Sequence, residues 1–385
     1  MRVGIVSKWY ASGQGVVSRQ LRSAIDQLGH ETVVLARPGR GPRAARHASG
    51  VDELDPVWSG PGVSEASAHE ISEAEYRAWA DDHGLELILC DENYQFRELA
   101  SLRRTGIRVV GRFVWESFSP ADADGAGRAY DAIYSLTRCE QRRYREIGIE
   151  SPYVRWGIHP ELLEVERPSR DDDFVRYIFP CSFFGPRRPV GEVLTAFRAV
   201  AGEQLRLLIT AQLPRRSEQL RKAAARDPRI ELELSEQPTA EYLAQFAACD
   251  VCLAPSRWEG LGVPLFEAIA LGLPIITNDA PPMNEMVTDG INGLLTRSAP
   301  AGTTKSGIRV QDPDIASLSE AIARLADRDL WDRLAAGARR VRAERAWAHT
   351  LDDLAGLLEP FGDASDAPSL ADDVEPNPGP SGTCR

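Results

Sequence analysis

Residues 250–277 read DVCLAPSRWEGLGVPLFEAIALGLPIIT. DVCLAPS is a short apolar run, the pattern of a strand buried on both faces. RWEGLGV then forms a loop. Pro264 suits the first position of a helix, where no amide donor is required. Gly272 stops that helix, Pro274 follows, and PIIT is the next strand. Strand, loop, helix, strand is the unit of a parallel α/β sheet, in which ligands bind at the carboxyl ends of the strands. Glu259 therefore lies in the loop and Glu267 about one turn into the helix, with seven residues between them. The amides near Leu261, Gly262 and Val263, with the positive end of the helix dipole, form an anion site. Gly260 and Gly262 allow close approach to the backbone. A carboxylate on either side can accept hydrogen bonds from hydroxyl groups. The ligand this describes carries phosphate at its centre and hydroxyls at both ends, as a nucleoside diphosphate sugar does.

Working outward, the same alternation fills the chain. RVGIVSK, ETVVLAR, LELILC, RVVGRF, AIYSL and YVRW read as one set of buried strands. VRYIFPC, LRLLIT, IELELS, DVCLAPS and LPIIT read as a second. The polar, proline-containing stretch EVERPSRDDD (164–173) is the expected linker. The expected organisation is an N-terminal Rossmann-like domain over 1–165 and a second over 166–345, with a last helix over 346–361. Residues 362–385 are acidic and rich in Pro, Gly and Ser, a composition that predicts disorder.

Composition narrows the function classes. The chain has 385 residues and a net charge of −12, which argues against general nucleic-acid binding. Lys8, Lys222 and Lys305 are its only lysines, so its basic residues are almost all arginine, a side chain suited to phosphate. No apolar run approaches the ~18 residues of a membrane span. The first apolar run reads as a strand and is too short for a signal peptide. Six scattered cysteines fit a reducing cytoplasm, and Cys249 and Cys252 lack the second ligand pair of a zinc site. Gly13 and Gly15 follow the first strand, but Ser18 stands where a dinucleotide fingerprint needs its third glycine, and no acid ends ETVVLAR. They mark either a tight turn or amides facing a ligand at a helix start.

The segments PSRWEGLGVPLFEAIALGLPIITND and NEMVTDGINGLL resemble the donor-site signature of the retaining GT-B glycosyltransferases, family 4 (group 1 glycosyl transferases). Glu285, Val287, Gly290 and Gly293 match the second part of that signature. The resemblance implies two Rossmann-like domains facing across a cleft, with the C-terminal helix returning to the first. It implies that Glu259 holds the transferred sugar, Glu267 the ribose, and the amides near Gly262 and Val263 the diphosphate. Where the family has an Arg and then a Lys, this chain has Phe183 and Arg188, with Arg187 beside it. Arg187 and Arg188 are expected to meet the leaving diphosphate, aided by the Gly13–Gly15 turn. Where the family often has a His, CDENYQF offers Asp91, Glu92 and Asn93. GRFVWESF then supplies Trp115 and Glu116. Glu92 and Glu116 are candidates to receive or orient the acceptor hydroxyl's proton. His159 is expected to sit in an interdomain loop.

The reading is a metal-independent, cofactor-free transferase with a nucleotide-sugar donor and a hydroxyl-bearing small molecule, glycan or glycolipid as acceptor. Alternatives are an epimerase or phosphorylase on the same fold, or a non-catalytic nucleotide-sugar-binding subunit.

Overall fold

Six apolar runs build the first sheet: β1 (Arg2–Ser7), β2 (Glu31–Ala36), β3 (Val63–Glu65), β4 (Leu87–Asp91), β5 (Arg108–Arg112) and β6 (Ala132–Ile133). All pair in parallel, in the order β3-β2-β1-β4-β5-β6. The second sheet holds β7 (Val175–Ser182), β8 (Leu205–Ala211), β9 (Ile230–Glu233), β10 (Val251–Leu253), β11 (Ile275–Asn278) and β12 (Gly293–Thr296). Its order, β12-β11-β10-β7-β8-β9, repeats the first with the same parallel sense. This is the doubly wound arrangement expected from the sequence. The computed structural model describes residues 1–39, 50–52, 55–182, 185–212 and 218–361. Residues 362–385, expected to be disordered, lie outside the described residues.

The strands are apolar without alternation because helices cover both faces; Leu87, Ile88, Leu89 and Cys90 are all buried. Topology fixes where ligands bind. Strand order reverses between β1 and β4 in the first sheet, and between β7 and β10 in the second. The loops leaving these four strands meet in one cleft. β3, β12 and an antiparallel hairpin, β13 (Ser298–Thr303) with β14 (Arg309–Pro313), are elements the sequence reading did not mark.

YVRW was expected as a strand and is not one. It makes one isolated bridge, Tyr153 with Ser135, and Ile158 just beyond it bridges Ala346. Its backbone is spent on the C-terminal helix instead. Arg155 N donates to Asp353 (2.8 Å), and Gly157 N to Thr350 Oγ1 (2.8 Å), which itself donates to Arg155 O. The helix Trp347–Leu358 thus docks on the first domain, with Trp347 edge-on to Trp156 at 5.2 Å. Gly157 is required there, since a Cβ would fall 2.7 Å from Ala346 O. His159 lies at this junction, buried, edge-on to Trp347 and capping the Pro160–Leu163 turn. The 164–173 stretch has no regular structure, but Arg167 and Arg170 pin it to Asp250 of the second domain.

Two carboxylates cross between the domains to helix starts. Asp55 Oδ2 accepts from Thr239 N and Oγ1 (2.7 and 2.6 Å), at the start of the Thr239–Ala247 helix. Glu285 accepts from Arg138 N and Cys139 N (both 2.7 Å), at the start of Arg138–Glu146.

Candidate active site

The helix after β10 runs Val263–Ala270 and is buried on nearly every side. Gly262 enters it with φ +81°, a left-handed turn that favours glycine. Pro264 is its second residue rather than its first, still within the turn where no amide donor is needed. The first internal bond is Leu265 N to Gly262 O, so the amides just before it have no partner within the helix. Leu261, Gly262 and Val263 line the cleft, which has a volume of about 330 Å³. That is within the range of small-molecule sites.

The two glutamates differ in state. Glu267 is buried, 5% exposed, and accepts from Tyr242 Oη at 2.7 Å. Burial pushes its carboxyl up to about 7, with the Tyr242 hydroxyl opposing that rise. Glu259 is equally buried, and burial alone would raise it too. Arg188, Arg187 and Ser256 outweigh that effect and hold it below the ordinary carboxylate value. Its Oε1 accepts from Arg188 Nη1 and from Ser256 Oγ (2.7 Å), and its Oε2 lies 3.6 Å from Arg187 Nη1. The arginines expected for the diphosphate are therefore shared with Glu259. Phe183, the residue in the family's Arg position, lies outside the described residues.

Across the cleft stand residues of the first domain. Glu92 directly follows β4 at φ +55°, a conformation that costs a non-glycine residue on the order of 1–3 kcal/mol. It lines the cleft 3.8 Å from Lys8 Nζ, and burial raises its pKa against the pull of Lys8. Glu116 Oε1 accepts from Arg187 (2.9 Å), while its Oε2 is buried with no hydrogen-bond partner. Burial lifts Glu116 to about 7; Arg187 opposes this, and Glu259 and Glu92 reinforce it. Trp115 Nε1 donates to Gly260 O at 3.1 Å, joining the two sides.

Three candidates take structural positions. Asp91 is buried against Arg112 (3.1 Å) and Ser18 (3.3 Å), and Asn93 donates to Tyr76 Oη (2.8 Å). Gly15 does not line the cleft as expected: its amide goes to Ser12 Oγ (3.1 Å), the helix's own cap. It is glycine because a Cβ would fall 2.2 Å from Tyr10 O. Gly13 does line the cleft. The sequence reading missed Lys8, Ser12, Gln14, Arg112 and Tyr242 there. Among the described residues no group of three His, Cys, Asp or Glu side chains is placed to hold a metal ion. No helix among them is long and apolar enough to cross a membrane.

Residues 178–328 match the family described as Glycosyl transferases group 1. That match lies within the second domain. Curated relatives match in part. A D-inositol 3-phosphate glycosyltransferase of Nocardia farcinica is 31% identical over 168 residues, 42% of this chain and 33% of that protein. A protein of the same name from Stackebrandtia nassauensis is 35% identical over 124 residues, 32% of this chain and 24% of that protein. An uncharacterised 41.2 kDa protein of the Klebsiella pneumoniae cps region is 42% identical over 55 residues, 14% of this chain and 15% of that protein. The matches thus span a third or less of these relatives' own lengths.

Solved structures align over nearly the whole chain. Sucrose-phosphate synthase from Thermosynechococcus elongatus superposes with TM-score 0.72 at 17% identity, covering 94% of this chain and 99% of that one. The Anabaena protein HepE in complex with UDP and glucose gives 0.69 at 14% identity, covering 94% and 100%. The chain has the GT-B fold.

Proposed function

We propose that the protein is a retaining glycosyltransferase, moving a sugar from a nucleoside diphosphate sugar to an acceptor hydroxyl. One observation carries this reading. A helix start with unbonded amides lies between Glu259 and Glu267, beside two arginines, and directly faces Glu92 and Glu116 of the other domain. Glu267 and Tyr242 take the ribose hydroxyls. The amides of Leu261, Gly262 and Val263 take the diphosphate with Arg187 and Arg188. Glu259 takes hydroxyls of the sugar.

The acceptor oxygen attacks the anomeric carbon on the face from which the diphosphate leaves. The bond to the leaving phosphate oxygen breaks as the new glycosidic bond forms. The hydroxyl proton passes to the departing phosphate, with Glu116 or Glu92 orienting that hydroxyl. Positioning and neutralisation of the leaving charge supply the acceleration. In this reading the arginines, the amides and the helix dipole meet that charge without a metal or cofactor, in a cytoplasmic protein. The printed names of the relatives support sugar transfer, and the UDP complex of HepE supports a nucleotide-sugar donor.

The test is a thermal-shift screen of UDP-, GDP-, ADP- and TDP-sugars, followed by assay of nucleoside diphosphate release. A donor at 100 times its dissociation constant adds roughly 2.7 kcal/mol of stability. The expected result is release that depends on an acceptor. Conversion of the donor alone would indicate an epimerase, and dependence on inorganic phosphate a phosphorylase. Tight binding without turnover would indicate a binding subunit.

A further inference from the structure

The β13–β14 hairpin is built of small and polar residues with few large apolar ones, and most of β13 is exposed. It belongs to the second domain, yet its tip is embedded in the first. At the tip, Gly307 turns the chain at φ +82°, and Thr304 N donates back to Ile308 O (2.8 Å). Ser306 Oγ donates to the carbonyl of Glu116, and Ser306 O accepts from Arg143 Nη2 (3.0 Å). Ile308, 5% exposed, is buried with Trp115 and Cys139, and Trp258 packs on the same cluster. The hairpin's base is fixed to the donor loop, where Gln311 N donates to Arg257 O (3.0 Å) and Arg257 pairs with Asp312. A continuous connection thus runs from the Ser256–Gly260 loop through the hairpin to the backbone of Trp115 and Glu116.

We propose that this hairpin is a positioning arm: through Ser306 and Ile308 it sets the Trp115–Glu116 backbone, and so aims the Glu116 carboxylate at Arg187 and into the cleft. The inference rests on the function proposed above. Neither Ser306 nor Ile308 lines the cleft. They act on one residue that does. The contact is made only when the two domains meet, so the arm ties the geometry of the acceptor side to closure. Without it, the Glu116 loop still has the Trp115–Gly260 bond but loses the cover that orders its carbonyl and indole.

The experiment compares Ser306→Ala, Ile308→Ala and Ser306→Thr, alone and in a Glu116→Gln background. Affinity is read by calorimetry with whichever of UDP, GDP, ADP or TDP the unmodified protein binds. That affinity is expected to stay within about twofold. Turnover is expected to fall roughly ten- to a hundredfold, the scale of a misplaced group about 1 Å out of position. Ser306→Thr, which keeps the hydroxyl, restores it. In the Glu116→Gln background Ser306→Ala costs nothing further. Hydrogen exchange gives a readout independent of chemistry: amides of residues 113–118 exchange faster in Ser306→Ala and Ile308→Ala, with the rest of the protein unchanged. Unchanged exchange at 113–118 overturns the proposal, whether or not the protein transfers sugar. So do unchanged turnover, nucleotide affinity that falls in parallel with turnover, or additive losses with Glu116→Gln. A protein that shows the exchange change but transfers nothing to any acceptor keeps the arm and loses the transferase reading.

Discussion

Replacing Glu267 by Gln should make the unliganded protein more stable and the nucleotide complex weaker. Glu267 is buried in the cleft wall, and burial holds its carboxyl at about 7 instead of 4.5. Between those two values the folded state binds more protons than the unfolded chain, so stability falls as pH rises and the loss is complete above about pH 7. Holding the carboxyl that far up amounts to about 3 kcal/mol. Glutamine keeps an oxygen for the Tyr242 hydroxyl and removes the charge. At pH 8 the variant should gain up to about 3 kcal/mol, which is roughly 6–12 °C in Tm for a domain of this size. At pH 4, where the wild-type carboxyl is protonated in both states, the difference should vanish. Nucleotide binding should change the other way. Losing a charged acceptor for ribose hydroxyls costs roughly 1.5–3 kcal/mol, about ten- to a hundredfold in Kd. Calorimetric melts at pH 4 and pH 8, with nucleotide titration at pH 8, test both halves. A variant equally or less stable at pH 8 would refute the account of the buried charge. Unchanged nucleotide affinity would refute the ribose assignment.

Other outcomes follow from the same geometry. Glu259→Gln should not weaken nucleoside diphosphate binding, since it frees Arg187 and Arg188, but single-turnover transfer should fall by at least about a hundredfold. Arg188→Ala should weaken both nucleotide binding and folding, the latter by about 3 kcal/mol, because Glu259 keeps a buried charge with one partner fewer; urea unfolding measures this. Glu116 is held at about 7, so turnover should decline as pH falls through 7 and the group protonates, and Glu116→Gln should abolish that limb of the pH–rate profile. Thr350→Ala breaks two bonds that bind the C-terminal helix to the first domain and should cost about 1–3 kcal/mol in thermal unfolding.

The parts of the site legible in the sequence are local. Glu259, Leu261–Val263 and Glu267 lie within nine residues, and one strand, loop and helix place them all. Strands buried on both faces were equally legible, because continuous apolar runs such as LILC admit few other readings. Lys8, Arg112 and Tyr242 were not, since each enters the cleft from a different segment and only the order of the strands brings them together. Nor was the pairing of Arg188 with Glu259, 71 residues away. The hairpin left no apolar signature because it is stabilised by two anchored ends instead of a buried face. YVRW shows the opposite failure: a strand-like pattern whose hydrogen bonds go to a helix nearly 200 residues later.

Asp55 and Glu285 deserve a mechanical reading. Each half of the molecule lends a carboxylate to the opening turn of a helix in the other half. Such a grip is directional, so the halves can seat in only one register. On parting, water replaces the carboxylate at the amides and the amides at the carboxylate, at a net cost of about 1.5–3 kcal/mol for each bond. The arrangement is a pair of snap fasteners mounted in opposite senses. Salt loosens charge–dipole grips and leaves apolar ones intact, so the spacing between the halves, read by small-angle X-ray scattering, should widen as salt rises.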